Sequence, residues 1–136
     1  MTYYRSQSVD GTFDAVLDRT LEALSEEGFG VLSDIDVAGT LEEKLGVEDF
    51  GDYRILGACI PPLAHEALEA EKQLGTVLPC NVIVYEDEDG QVTVAAVDPT
   101  ELLSVVDNPE LDEVAEEVDA RFDRVFATLS APQAAD

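Results

Sequence analysis

The sequence predicts an α+β fold: a mixed or mostly antiparallel sheet of about five strands, with helices packed mainly on one face. Three observations carry this expectation. Runs of period-two apolar residues alternate with runs of helical period through the first half of the chain. Two β-rich runs, Asn81 to Tyr85 and Val92 to Val97, are joined by EDEDGQ, whose Asp89-Gly90 pair marks a hairpin. That hairpin breaks the strict alternation of a doubly wound fold, and two helical runs then close the chain. The expected order is β-α-β-α-β-α-β-β-α-α.

Each element has a local cause. Thr2 to Val9 alternates and is rich in Tyr and Ser, as a first strand would be. Phe13, Val16, Leu17, Leu21 and Leu24 then fall on one helical face, with Thr12 or Asp10 as N-cap and Gly28 as stop. Val31, Ser33, Ile35 and Val37 alternate with Leu32, Asp34 and Asp36 in a second strand. Thr40 and Glu43 have the spacing of a capping box for a short helix that Gly46 ends. Tyr53 to Ile60 is a third strand, stopped by Pro61 and Pro62. Those prolines suit the first turn of a helix that carries Leu63, Ala64, Ala67 and Leu68 inward and runs to about Gly75. Asp98, Pro99 and Glu101 open a short helix through Val106. Asn108-Pro109 starts a long one with Leu111, Val114, Ala115, Val118, Phe122, Val125, Phe126 and Leu129 on one face. Residues 1–131 read as a single domain and 132–136 as a frayed tail.

The charge is the least ordinary property. Thirty-one Asp and Glu stand against seven Lys and Arg, for a net charge of −24. Such a chain repels nucleic-acid phosphates and anionic membranes, so neither is an expected partner. The acids are scattered along nearly every polar face rather than gathered in one site. Molar salt shortens the Debye length to about 3 Å and would relieve their mutual repulsion. The charge is therefore read as adaptation to the salty cytoplasm of a halophile. The N-terminus has no signal-peptide pattern, and no apolar run approaches the ~20 residues of a membrane span. The two cysteines are expected as free thiols in a reducing cytoplasm.

Several chemistries lack their motifs. GxxxxGK[ST], GxGxxG, a GxSxG elbow and close CxxC pairs are all absent. What remains is a set of candidates, each with an ordinary alternative. Cys59, His65 and Cys80 are the only thiols and the only imidazole, and they flank one helix; Asn81 follows the second cysteine. If the strands carrying Cys59 and Cys80 run antiparallel, both lie at the same edge of the sheet. A thiol pair there can bind a soft metal or haem iron, or cycle between dithiol and disulfide. If a parallel crossover joins them, the cysteines separate; the ordinary alternative is that both are small buried hydrophobes. Asp34 and Asp36 share one strand face, either as paired carboxylates that share a proton or hold a cation, or as part of an acidic surface. EDED at 86–89 lacks the spacing of a calcium loop and reads as a charged hairpin tip. Arg54, next to Tyr53, is either an anion clamp or a local ion-pair partner. The stripe on the last helix covers the sheet or forms a subunit interface.

The segment CIPPLAHEALEAEKQLGTVLPCNVIVYEDEDGQVTVAAVDP, Cys59 to Pro99, resembles the domain-of-unknown-function 302 family. The residues that carry the resemblance are Cys59, the Pro61-Pro62 pair, the LAHxAL run from Leu63 to Leu68, Gly75, and LPCNV from Leu78 to Val82. It extends over roughly Thr2 to Val106, with Ile60 standing where many relatives carry Asn. The resemblance implies a compact α+β fold, a homodimer and a small cytoplasmic protein of bacteria or archaea. It brings no established activity. The reading that follows is a non-catalytic homodimeric binding or interaction domain of a halophilic archaeon, with a small-molecule or protein partner and no cofactor. The alternative is a thiol, metal or haem site at Cys59, His65 and Cys80 serving redox or sulfur handling.

Overall fold

Every strand pairing is antiparallel, and the five strands lie in the order β1-β5-β4-β3-β2. The computed structural model describes residues 2–130; the expected tail at 132–136 lies outside the described residues. The elements are β1 (Tyr4–Val9), α1 (Phe13–Glu26), β2 (Gly30–Asp36), α2 (Val37–Leu45), β3 (Tyr53–Cys59) and α3 (Pro61–Ala70). A 3-10 turn at Lys72–Val77 leads into β4 (Cys80–Glu86) and β5 (Val92–Val97). Then come α4 (Pro99–Ser104), a 3-10 turn at Pro109–Leu111, and α5 (Asp112–Ser130). The α+β class and the order of strands and helices are those read from the sequence.

Local chemistry sets the boundaries. Thr12, not Asp10, caps α1: its Oγ1 accepts from the Ala15 amide at 3.2 Å. Gly28 follows the helix with φ +86°, a conformation glycine adopts without steric cost. The capping box expected at Thr40 and Glu43 does not start α2. Asp36 does, accepting from the Gly39 amide at 2.9 Å, so the strand stops one residue earlier and Thr40 lies inside the helix. The helix after Pro61-Pro62 also ends sooner than expected. Glu71 is extended (φ −155°, ψ 108°), and the chain continues to Val77 as a 3-10 turn. Asp98 caps α4 through the Thr100 and Glu101 amides.

One face of the sheet holds the core. Leu56 and Ala58 of β3, Val82 and Val84 of β4, and Val92, Val94 and Ala96 of β5 are buried there under α1 and α5. Phe29 and Phe122 stack at 4.7 Å and 13° where β2 begins beneath α5. Fully burying a ring such as Phe122 contributes roughly 1.5–3 kcal/mol. The helix stripe read from Val114 to Leu129 is buried throughout, so those residues are spent on the core. Arg5 ties β1 to α5 by pairing with Asp119 at 2.7 Å and lying 5.5 Å from the Phe126 ring centre. Arg121 donates to the Glu27 carbonyl at 2.6 Å, closing the C-terminal end of α1. Among the described residues, Thr20 is the one buried polar side chain, and its hydroxyl donates to the Val16 carbonyl at 2.8 Å. The carboxylates are therefore left at the surface.

Candidate functional site

Side chains alternate along a strand, so the residues between the core positions point to the opposite face. There the pairings set out three rows across the sheet. Tyr4 lies beside Val97; Ser6, Ala95, Ile83, Ile55 and Ile35 follow in line; Ser8, Thr93, Tyr85 and Tyr53 form the third row. These rows floor a cleft of ≈500 Å³ lined by Tyr3, Tyr4, Ser6, Tyr53, Asn81, Ile83, Tyr85, Ala95, Ala96 and Val97. Tyr53 and Tyr85, directly opposite each other, stack at 5.5 Å and 18°. Tyr3 and Tyr4 meet edge to face at 5.0 Å on the far side. Burial, and then the neighbouring Tyr85 and Tyr3 phenols, raise the Tyr53 pKa above its ordinary value. The ring therefore stays neutral at physiological pH.

The second place is the end of the sheet where the cysteines lie. Because β3 and β4 are antiparallel with Ala58 opposite Cys80, Cys59 and Cys80 share one end of the sheet. Both line a small apolar cavity of ≈30 Å³, together with Phe29, Ile60, Leu63, Leu74, Leu78 and Val114. Both are free cysteines, Cys80 buried and Cys59 half-buried. Burial first, and the Cys59 thiol second, push the Cys80 thiol up to about 11. Burial also raises the Cys59 thiol. A group this desolvated, with no cation beside it, holds its proton at neutral pH, whereas nucleophilic cysteines are thiolates.

His65 is not part of that cavity. It is exposed on α3, with Nε2 3.1 Å from Glu69 Oε1 one turn along the helix. Among the described residues, no three His, Cys, Asp or Glu side chains form a group able to hold a metal ion. Asn81, the neighbour of Cys80, points the other way, into the tyrosine-lined cleft. The carboxylate pair is accounted for by structure: Asp34 accepts from Arg54 at 3.1 Å and Asp36 caps α2. Arg54 is thereby an ion-pair partner, with Asp36 also 4.0 Å away. The EDED tip is an Asx-type turn in which Asp87 accepts from the Asp89 and Gln91 amides at 3.0 and 3.1 Å.

Sequence reasoning singled out the thiols and, of the residues lining this cleft, only Asn81, beside Cys80, and Tyr53, beside Arg54. Tyr3, Tyr4 and Tyr85 read as ordinary strand residues because strand period alone does not say which strands are neighbours. The usable signal is that Tyr4, Tyr53 and Tyr85 each fall on the strand phase opposite the buried residues, together with the absence of charge among the strand residues that share it; Tyr3 precedes β1 and carries no such signal.

No curated protein matches the chain. A solved structure described as an uncharacterized conserved protein DUF302 from Bacillus stearothermophilus is similar to it. That likeness has 29% sequence identity and a TM-score of 0.82 and covers 95% of this chain and 97% of that one. The family model "Domain of unknown function DUF302" matches residues 5–129, nearly the whole of the described fold. The match takes in both cysteines, Asn81 and most of the cleft, and the chain belongs to the DUF302 family.

Proposed function

We propose that the protein is a non-catalytic homodimeric binding domain, at work in a salt-rich cytoplasm, with the uncovered face of its sheet as the working surface. The observation that carries this reading is the division of the sheet. One face is filled by helices, while the other presents a concave, uncharged, ring-lined cleft of ≈500 Å³. Ligand sites are commonly clefts of about 300–1,000 Å³ with apolar and aromatic walls and few polar groups. The cleft offers no nucleophile with a partnering base, which favours binding over catalysis.

Support for a dimer comes from one edge of the molecule. Leu32 and Ile35 of β2, Leu45 of α2 and Phe50 just before β3 are large apolar side chains left exposed, Leu32 and Leu45 at 69% and 71%. A second copy would bury such a patch, and molar salt would screen the repulsion between two chains of −24 each. No helix among the described residues is long and apolar enough to cross a membrane. Light scattering at micromolar concentration in molar KCl tests the assembly. A mass near twice 14.7 kDa is expected, and the Ile35→Asp, Leu32→Asp double variant should be a folded monomer. A monomeric wild-type protein under those conditions overturns the homodimer.

A second reading rests on the shared cavity of Cys59 and Cys80. In it the two thiols handle redox or sulfur chemistry or hold a soft metal or haem, with His65 recruited by movement of α3. Uptake of Zn(II) or haem that is lost in Cys80→Ser would favour it; no uptake by the wild-type protein would remove it.

A further inference from the structure

We infer that the cleft on the uncovered sheet face takes a small organic cation of the quaternary-ammonium class, held against the tyrosine rings. This rests on the binding-domain reading and adds to it the chemistry of the ligand. The chain has four tyrosines in all, and every one of them lines this cleft. Tyr53 and Tyr85 stand as a stacked pair on one side, and Tyr3 and Tyr4 as an edge-to-face pair on the other. The faces of such rings are negative, and a cation within about 6 Å of a ring centre is attracted to them.

Charge decides between cation, neutral molecule and anion. No Lys or Arg lines the cleft, so an anion would find no counter-charge there. At low salt the net charge of −24 also draws cations toward the surface and repels anions; in molar salt that field is screened within about 3 Å, and the ring faces themselves make the selection. No carboxylate lines the cleft either, so a strongly hydrated metal ion would have no ligand to replace its water. A quaternary ammonium, weakly hydrated and sheathed in methyl groups, suits both the apolar floor of Ile83 and Ala95 and the ring walls. Ser6 and Asn81 supply hydrogen bonds for a hydroxyl or carbonyl on the same molecule.

The chain has no tryptophan, so tyrosine emission reports directly on this cleft. The test titrates the full chain with choline, with its uncharged carbon isostere dimethylbutanol, and with the matching anion dimethylbutyrate. Calorimetry and tyrosine emission give the affinities, and light scattering on the same samples gives the assembly state. Choline should bind about tenfold more tightly than dimethylbutanol, and dimethylbutyrate should not bind. Tyr85→Ala should weaken choline about tenfold, while Tyr85→Phe, which keeps the ring, should stay within about threefold. If Tyr85→Ala fails to fold, the isostere ratio on the wild-type protein and the Phe variant still decide.

Equal affinity for choline and dimethylbutanol overturns the inference, because the cleft then selects only for apolar bulk. Choline binding unaffected by loss of the rings overturns it as well. No choline binding, together with dissociation of a dimer by Tyr53→Ala, assigns the cleft to a second copy; that refutes the cation and leaves the homodimer standing. Choline selectivity in a protein that is monomeric supports the cation and overturns only the homodimer.

Discussion

Replacing Cys80 by serine separates packing from chemistry at the more buried thiol. Cys80 is 7% exposed and faces Phe29, Leu74, Leu78 and Val114 in a cavity with almost no polar lining. The swap changes volume little but places a hydroxyl where no side-chain partner waits, which costs about 1–3 kcal/mol. For a domain of this length that corresponds to a fall in Tm of roughly 4–12 °C. Cys80→Ala introduces no polar group and should cost less, about 1 kcal/mol. Reactivity and pH dependence follow from the same burial. With its pKa pushed up to about 11, the thiolate fraction at neutral to slightly alkaline pH is about 100-fold below that of an unperturbed thiol. Maleimide labelling of a Cys59→Ser protein, which retains only Cys80, should be slow in the same proportion.

The sign of the pH effect is fixed. Between about pH 9 and 11 the folded protein holds the Cys80 proton that the unfolded chain has released. Stability contributed by this group is thus full below about pH 9 and falls as pH rises toward 11, by about 2–3 kcal/mol in total. Urea melts across that range should show a shallower alkaline decline in Cys80→Ala than in the wild-type protein. Fast labelling at neutral pH, or a serine variant as stable as wild type, would refute the packing account.

Gly57 sits in β3 where a Cβ would collide with Ser33 Oγ and approach Pro79 Cγ to 2.8 Å. Gly57→Ala should therefore destabilise by about 1–3 kcal/mol in urea unfolding, with partial recovery when Ser33→Ala is added; a neutral single variant would show that the sheet gives way at no cost. Raising KCl from about 0.1 M to 1 M shortens the Debye length from about 10 Å to 3 Å and should raise Tm of this −24 chain. Calorimetric melts that stay flat or fall over that range would sink the salt-adaptation reading.

Much of the fold was legible because its signals are local. The Asp89-Gly90 turn, the prolines at the start of α3 and the apolar stripe of α5 each fix an element from its own residues. The misplaced boundaries were contests between local signals. Thr40 and Glu43 have capping-box spacing, yet Asp36, four residues earlier, reaches the Gly39 amide first and the helix starts there. Likewise the helix from Pro61 stops at Ala70 because Glu71 turns extended, which no motif announced. The candidate site was legible only in part. Proximity of Cys59 and Cys80 was one of two outcomes left open by strand direction, while His65 was grouped with them by sequence distance and lies on the solvent side of α3.

What the sequence determined by itself was the class of fold, the element order and the charge, since periodicity, turn residues and ionisable groups act at short range or by simple sum. What tertiary structure alone decided was neighbourhood. Tyr3 and Tyr4 come from the start of the chain, Tyr53 from its middle and Tyr85 from beyond α3. They meet only because β1 pairs with β5 and β3 with β4, all antiparallel and in one register. A shift of one residue in one of those ladders would turn Tyr4, Tyr53 or Tyr85 to the opposite face from its partners, so the cleft is a property of register, which local sequence does not encode.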